Sequence, residues 1–295
     1  MDVYRTPEDR FERLVDWPFA PRYLEQDGLR MHFVDEGSGE PLLLLHGEPT
    51  WGFLYRRLIP PLAAVGRAVV PDLFGFGRSD KPTEIEQYTF ELHYRSIERF
   101  ALELELTRLT LVVHDWGGPI GLRLAVEHPD RVGRLVILNT GVGAGRAPSP
   151  DWLRFRELVR RVGPELSPSR IVQGASVSTL SADVLRAYDA PFPVAEAKAG
   201  ARAFPELVPT ELDHPSAAAM LRVRDALGHW QKPALVLFSD SDRVFSPANA
   251  ERLAARIPGA GAAEIVSGAG HFLQEDRGDQ VAERIVRFLA ETPLA

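Results

Sequence analysis

The residue whose setting points most directly to chemistry is Asp115. An apolar run, Leu111–His114, precedes it and the helix-like segment Trp116–Gly121 follows, so a buried strand turns sharply into a helix at this carboxylate. A carboxylate can displace a leaving group from saturated carbon and form an alkyl ester on the enzyme. Cleavage of that ester by water then requires a general base and donors for the oxyanion. The alternative is that Asp115 is an ordinary helix N-cap.

The strand–turn–helix segment resembles the nucleophile elbow of the α/β-hydrolases, where the nucleophile stands on the turn. Gly117 and Gly118 suit this geometry because strand and helix approach closely there. The chain departs from the G-x-S-x-G form at Val113, where glycine is common. It departs again at Asp115, which is a carboxylate in place of a hydroxyl.

The same resemblance implies a base and an acid that orients it. His271 lies in a glycine-rich segment after the last apolar strand and before the last helix, where this fold carries its catalytic histidine. The acid follows one of two strands in this fold. The earlier position holds Asn139, while the later one offers both Asp240 and Asp242. The usual spacing from the strand end favours Asp242 and leaves Asp240 as a turn residue.

The remaining histidines have weaker claims to chemistry. Several fall in predicted strands, helices or helix ends and are expected to be surface or capping residues: His32, His93, His128, His214 and His229. No pair of histidines has the spacing and the carboxylate neighbours of a metal site. We therefore expect no metal.

A second loop supplies the expected oxyanion donors. His46-Gly47-Glu48-Pro49 follows another apolar strand, and Gly47 allows an unusual backbone turn. The amide N–H of Glu48 and that of Trp116 would together stabilise the oxyanion of the ester intermediate. The side chain of Glu48 is a weaker candidate for holding the hydrolytic water or the pair of His271 and Asp242.

Short apolar runs alternate with helical stretches along the chain, which predicts a mostly parallel sheet covered by helices on both faces. The strand candidates are Pro41–His46, Arg67–Val70, Leu109–His114, Arg134–Asn139, Ala234–Ser239 and Ala263–Val266. The helical stretches are Phe53–Val65, Phe90–Glu105, Pro119–Glu127 and a final amphipathic helix from about Asp279 to Ala290. Near the start, Tyr23–Asp27 and Leu29–Glu36 flank Asp27-Gly28 and predict an antiparallel hairpin.

One long interval breaks this alternation. Residues 141–215 lack a clear buried strand and contain several proline-punctuated helical pieces. An extended loop of that length is uncommon in a compact domain. We therefore expect an α/β-hydrolase core formed by residues 1–140 and 216–295, with a helical cap inserted at 141–215.

Composition sets the outer limits on function. The 295 residues include 34 basic and 41 acidic side chains, a net charge of −7, and no cysteine. The acid excess argues against nucleic acid as a partner, and the cysteine count excludes thiol chemistry and fits a reducing cytoplasm. No run is long and apolar enough to span a membrane. We expect a soluble, cytoplasmic monomer.

Taken together, the motifs resemble those of the haloalkane dehalogenases. The matching segments run across almost the whole chain and are His46–Trp51, Pro71–Pro82, His114–Gly118, Tyr188–Pro193, Asp242 and Gly270–Phe272. Two branches of that family differ in the acid and in one halide ligand. Glu48 and Asn139 place this chain with the branch that has an Asp-His-Asp triad and two halide-binding tryptophans.

The resemblance implies that Trp116 and a cap tryptophan hold the departing halide. An indole N–H is a donor only, so it can solvate an anion. Trp152 is the one tryptophan between residues 141 and 215, which makes it the second candidate. The alternative is that Trp152 is a core aromatic that anchors a cap helix.

The hypothesis is hydrolytic dehalogenation of small halogenated aliphatic substrates to alcohol, halide ion and proton, without metal or organic cofactor. Asp115 is the nucleophile, His271 the base and Asp242 its orienting acid.

An epoxide hydrolase is the nearest rival, but it needs cap tyrosines, and Tyr188 is the only one in the cap. A fluoroacetate dehalogenase would need an arginine beside the nucleophile to bind the substrate carboxylate, and His114 and Trp116 occupy those positions. A binding protein without turnover would not need the intact set of Asp115, Asp242 and His271.

Overall fold

The computed structural model describes residues 2–294, over which ten strands and ten α-helices are assigned. The strands are β1 (Val3–Tyr4), β2 (Arg22–Gln26), β3 (Leu29–Gly37), β4 (Pro41–Leu45), β5 (Arg67–Pro71), β6 (Lys81–Pro82), β7 (Leu109–His114), β8 (Val132–Leu138), β9 (Ala234–Ser239) and β10 (Glu264–Val266). The helices are α1 (Ile59–Ala63), α2 (Phe90–Glu103), α3 (Gly117–Glu127), α4 (Pro150–Val162), α5 (Pro168–Ala175), α6 (Ala182–Asp189), α7 (Ala199–Ala203), α8 (Ala217–Leu227), α9 (Pro247–Arg256) and α10 (Leu273–Glu291).

Eight strands form the central sheet in the order β10-β9-β8-β7-β4-β5-β3-β2. The pairs from β10 to β5 are parallel, and β3 pairs antiparallel with both β5 and β2. Helices α1 and α10 pack together on one face, while α2, α3 and α8 pack on the other. The predicted fold class, a mostly parallel sheet covered on both faces, is confirmed, and the predicted hairpin is the β2–β3 pair.

The central strands are buried on both faces because their sequences are continuously apolar. All six residues of β7 and all six of β9 are buried, and both strands have the predicted bounds. Since the carboxyl ends of parallel strands lie at one edge of a sheet, β4, β7 and β9 deliver the loops that follow them to the same place. Those loops carry Glu48, Asp115 and Asp242.

Residues 141–215, the predicted cap interval between β8 and β9, contain four α-helices, α4 to α7, and no strand is assigned in them. Helix α8 follows and packs against α3 of the core. The division into a core and a cap stays a prediction.

Two predicted helices differ from those observed. Residues 53–65 form a short 3-10 helix, Gly52–Tyr55, and then α1, because Pro60 and Pro61 lack the N–H that a helix interior needs and fit only in a first turn. Helix α10 begins at Leu273, six residues before the predicted Asp279. It has non-helical backbone angles at Arg277, so its first turn is offset from the amphipathic part that the sequence pattern revealed.

Two histidines expected at the surface are buried, so that prediction was wrong for them. His32 lies on β3, an internal strand, and its Nδ1 is 2.8 Å from Oδ2 of Asp72. His93 is enclosed beside Tyr88 and Phe204, and burial lowers its pKa to about 3. No helix among residues 2–294 is long and apolar enough to cross a membrane.

Candidate active site

Asp115 stands on a strained turn between β7 and α3. Its φ is 48°, a left-handed value that is uncommon for a residue with a side chain. The turn is fixed by close contacts: a Cβ at Gly118 would collide with the hydroxyl of Thr140, which itself donates to the Asp115 carbonyl at 2.6 Å. A side chain at Gly47 would collide with the Asp115 carboxylate. The backbone therefore presents this carboxylate at the sheet edge in one orientation.

The two oxygens of the Asp115 carboxylate have different surroundings. Oδ1 accepts the amide N–H of Glu48 at 2.8 Å, and Oδ2 lies 3.6 Å from Nε2 of His271. Burial opposes ionisation, but the neighbouring His271 and the amide N–H of Trp116 hold the pKa of Asp115 below its ordinary value of 3.8. Asp115 is therefore an anion at neutral pH, with Oδ1 on the amide of Glu48, one of the two predicted oxyanion donors, and Oδ2 facing the imidazole.

His271 lies between two carboxylates. Its Nδ1 is 2.8 Å from Oδ2 of Asp242, and its Nε2 faces Asp115. Burial lowers the pKa of this imidazole, but the charge of Asp242 and the interaction with Asp115 outweigh burial and raise the pKa to about 10. His271 is therefore a cation in the free enzyme at neutral pH, paired with the Asp115 anion.

The structure distinguishes the two candidate acids. Asp242 is buried, and its Oδ1 accepts the amide N–H groups of Val244 at 2.7 Å and Phe245 at 3.1 Å, which aims Oδ2 at His271. Asp240 is exposed and instead accepts the N–H of Gly268. At the alternative acid position, Asn139 is buried and its Nδ2 donates to the His271 carbonyl at 2.9 Å.

Both candidate halide ligands line the cavity that contains Asp115. Trp116 and Trp152 are each 8% exposed, and over residues 2–294 neither indole N–H has a hydrogen-bond partner. The other three tryptophans differ: Trp51 donates to a backbone carbonyl of α6, and the indole N–H groups of Trp17 and Trp230 are enclosed in the core. The two cavity indoles are thus free to solvate an anion.

The cavity has a volume of about 1560 Å³ and is lined by residues of α4, of α5 and of the loops that follow the carboxyl ends of the sheet strands. Asp115, His271 and Glu48 lie on its wall with apolar residues such as Phe155, Ile171 and Val208. A largely apolar cavity with a few convergent polar groups is the usual form of a small-molecule site.

The Glu48 side chain is buried, and its Oε1 lacks a hydrogen-bond partner among the described residues. Burial and the nearby charge of Asp115 raise its pKa well above 4.5. The sequence left its role open between the hydrolytic water and the pair of His271 and Asp242. The structure brings this carboxyl group to the same cavity.

Residues that support His271 were missed in the sequence. His114 Nε2 lies 2.9 Å from the His271 carbonyl, and Asp276 accepts the amide N–H of Gly270 at 2.8 Å. Both contacts involve backbone groups of the His271 loop, which is distant in sequence from His114 and six residues from Asp276. The type and spacing of side chains do not predict contacts with backbone groups. The one available indication in the sequence is position: His114 is adjacent to Asp115, and Asp276 is close to the His271 loop.

Comparison with known proteins agrees with this geometry. Residues 40–278 match a sequence-family profile described as the alpha/beta hydrolase fold. The chain therefore belongs to the α/β-hydrolase fold family.

Relatives over the full length narrow the assignment. Haloalkane dehalogenases of Mycobacterium marinum (46% identical, covering 97% of this chain and 99% of the relative) and of Mycobacterium tuberculosis (47%, covering 99% and 100%) are similar to this chain. The solved structure of the tetrameric haloalkane dehalogenase DpaA from Paraglaciecola agarilytica is also similar, with a TM-score of 0.92 and 35% identity over 96% of this chain and 97% of that one. The chain is a member of the haloalkane dehalogenases, hydrolases that act on carbon–halide bonds.

Proposed function

We propose that this protein hydrolyses small haloalkanes through a covalent ester on Asp115. Oδ2 of Asp115 attacks the carbon that carries the halogen, the carbon–halogen bond breaks, and the halide leaves with the bonding electrons. The N–H groups of Trp116 and Trp152 receive the halide. The observation that supports the proposal best is that Oδ1 of Asp115 accepts the Glu48 amide while Oδ2 faces His271 and the cavity.

The second half-reaction releases the alcohol. His271, held by Asp242, accepts a proton from water as the water oxygen attacks the carboxyl carbon of Asp115. The negative charge that develops on Oδ1 is stabilised by the amide N–H groups of Glu48 and Trp116. Collapse of this intermediate breaks the bond between the carboxyl carbon and Oδ2, and the alkoxide takes the proton that His271 had accepted and leaves as the alcohol. The new carboxyl group then loses its water-derived proton, which regenerates the Asp115 carboxylate. The net products are an alcohol, a halide ion and a proton.

Oxygen labelling tests the nucleophile directly. In a single turnover of excess enzyme with 1-bromobutane in H₂¹⁸O, the butanol should carry ¹⁶O from Asp115, and the label should enter the Asp115 carboxylate. Direct attack of water on the substrate would instead place ¹⁸O in the first butanol. Asp115→Asn should release no bromide, with Asp240→Asn, an exposed residue of the same sheet edge, as the matched control.

Replacement of His271 tests the division into two steps. A His271→Gln variant should release about one bromide per enzyme molecule and then stop, with the butyl ester detectable by intact-mass spectrometry. Sustained turnover by this variant would contradict the role of His271. Absence of bromide release by the native protein, followed by conversion of an epoxide, would favour an epoxide hydrolase.

One observation weighs against the epoxide alternative. Tyr188, the only tyrosine between residues 141 and 215, is fully buried, and its hydroxyl contacts Glu275. It lies outside the set of residues that line the cavity. It is therefore not placed to protonate an opening epoxide.

We also propose a monomer with residues 141–215 as its helical cap. One chain supplies every proposed catalytic and halide-binding residue, and sedimentation velocity tests the oligomeric state.

The proposed cytoplasmic location is supported by the cysteine-free composition and is tested by cell fractionation.

A further inference from the structure

The backbone of His271 is held from two sides. Its carbonyl accepts Nδ2 of Asn139 and Nε2 of His114, each at 2.9 Å, and both residues belong to the core sheet region. Its amide N–H donates at 2.8 Å to the carbonyl of Ala175, the last residue of α5. His271 therefore rests partly on the core and partly on the helical segment between β8 and β9.

Asp276 connects the same two regions through its side chain. Its Oδ2 accepts the amide N–H of Gly270 at 2.8 Å and that of Val177 at 3.0 Å, and its Oδ1 accepts the amide N–H of Ser178 at 2.7 Å. The residue is 7% exposed. One buried carboxylate thus binds both the residue before His271 and Val177 and Ser178, which come shortly after the end of α5 at Ala175.

The packing leaves little room for these segments to move independently. A Cβ at Gly270 would collide with the Ala175 carbonyl, so the two backbones lie in close contact. Hydrogen bonds from N–H groups to an ionised acceptor are about twice as strong as those between neutral groups. Among residues 2–294 the carboxyl oxygens of Asp276 accept these three peptide N–H groups and form no ion pair with an arginine, lysine or histidine.

We propose that Asp276 is a positioning residue that holds the His271 imidazole in line with the Asp115 ester by fastening residues 175–178 to the His271 loop. This inference rests on the proposed function. Asp276 lies outside the residues that line the cavity, so it acts through His271. Because His271 is needed as a base only when the ester is hydrolysed, loss of Asp276 should slow hydrolysis and spare alkylation.

Asp276→Asn tests the proposal most directly, because it keeps the size of the side chain and replaces one acceptor oxygen with an NH₂ group. That NH₂ group would face a peptide N–H, so two donors would meet and one hydrogen bond would be lost. Rapid-quench single turnovers with 1-bromobutane, followed by intact mass for the butyl-enzyme and by bromide assay, separate the two steps. We expect hydrolysis to slow by about 10- to 100-fold, the range that misplacement by about 1 Å produces, and alkylation to change by less than about twofold. Asp279→Asn, an exposed residue of the same helix, is the matched control and should match the native enzyme.

Equal slowing of both steps, or native hydrolysis in a folded Asp276→Asn variant, would overturn the proposal. If that variant does not fold, Val177→Pro decides the question, because it removes one of the three donors at an exposed residue and leaves the carboxylate in place. A selective, smaller slowing of hydrolysis supports the proposal, and an unselective or absent effect overturns it. Failure of the native protein to form any butyl-enzyme would instead overturn the proposed function itself.

Discussion

The charge on Asp115 links the two half-reactions at the scale of single residues. In the free enzyme, Asp115 and Asp242 together raise the pKa of His271 to about 10 against the effect of burial. Alkylation converts the Asp115 anion into a neutral ester while His271 stays buried. The pKa of His271 should therefore fall in the alkyl-enzyme, which makes the imidazole available as a base when it is needed.

This coupling predicts different pH dependences for the two steps. Alkylation requires ionised Asp115, whose pKa lies below 3.8, so its rate should be constant from about pH 5 to pH 9. Hydrolysis requires neutral His271, so its rate should rise with pH and level off at an apparent pKa below 10. Single-turnover rates for each step between pH 5.5 and 10 check this. A hydrolysis rate that is flat or falls as pH rises would contradict the coupling.

The two cavity tryptophans should contribute separately to halide binding. Removing one donor to an anion costs about 1.5–3 kcal/mol, which corresponds to roughly a 10- to 100-fold weaker affinity. Trp152→Phe should raise the bromide Kd by this factor, measured by calorimetry or by quenching of tryptophan fluorescence. Trp230→Phe, in which the lost N–H is enclosed in the core, is the matched control. An unchanged Kd for Trp152→Phe would favour the alternative that Trp152 only anchors α4.

At the scale of elements, a buried ionic network joins α10 to α6. Arg56 donates to both carboxylate oxygens of Glu275, at 2.5 and 2.8 Å, and neither side chain is exposed. The hydroxyl of Tyr188, on α6, contacts the same carboxylate. The first turn of α10 is thereby attached to the helical segment beside the cavity.

Breaking this network should destabilise the fold. Glu275→Gln leaves a buried Arg56 without its charged partner, which costs about 3–5 kcal/mol. Glu283→Gln, whose side chain is 75% exposed and pairs with Arg287 on the same helix, should cost less than about 1 kcal/mol. Urea unfolding of the two variants measures the difference. Equal stabilities would show that the buried pair contributes no more than a surface one.

The same elements show which features the sequence can reveal. Strands β7 and β9 have the predicted bounds, because a strand that is buried on both faces has a nearly continuous run of apolar residues in its sequence. The start of α10 was placed too late because Glu275 and Asp276 are polar residues in buried positions, and hydrophobic periodicity treats them as solvent-facing. Their partners, Arg56 and the Gly270 amide, are distant in sequence or belong to the backbone.

The candidate site also has features that the sequence predicts and features that it does not. Asp115 and Trp116 are adjacent on a turn that Gly117 and Gly118 mark, and Asp242 and His271 follow predicted strands. Their spacing nominates them once the resemblance to the α/β-hydrolase fold is added. The sequence does not predict the distances between these four residues, the orientation of the Asp242 carboxylate or the contacts of Asp276. All three depend on the backbone of loops, which no periodic sequence pattern describes.

At the scale of the whole molecule, the cavity and the protein carry opposite charge. The chain has a net charge of −7, yet seven arginines line the cavity and its mouth. They are Arg146, Arg154, Arg170, Arg224, Arg243, Arg252 and Arg256. All but Arg224 are exposed, and the exposed or half-exposed acids in the same lining are Asp151 and Glu165. A cleft whose exposed charges are mostly of one sign concentrates ligands of the opposite sign and raises their association rate.

This field should favour substrates that carry an anionic end away from the halogen. Between 6-bromohexanoate and (6-bromohexyl)trimethylammonium, kcat/KM should favour the anion by about tenfold at low salt, because steering changes association rates by 10-fold or more. The ratio should shrink as ionic strength rises to about 0.5 M, where the Debye length falls below 5 Å. Arg146→Glu with Arg170→Glu should reduce the ratio. Arg22→Glu, exposed on the edge strand β2, should leave it unchanged, and a salt-independent ratio would show that the arginines at the mouth do not steer substrate.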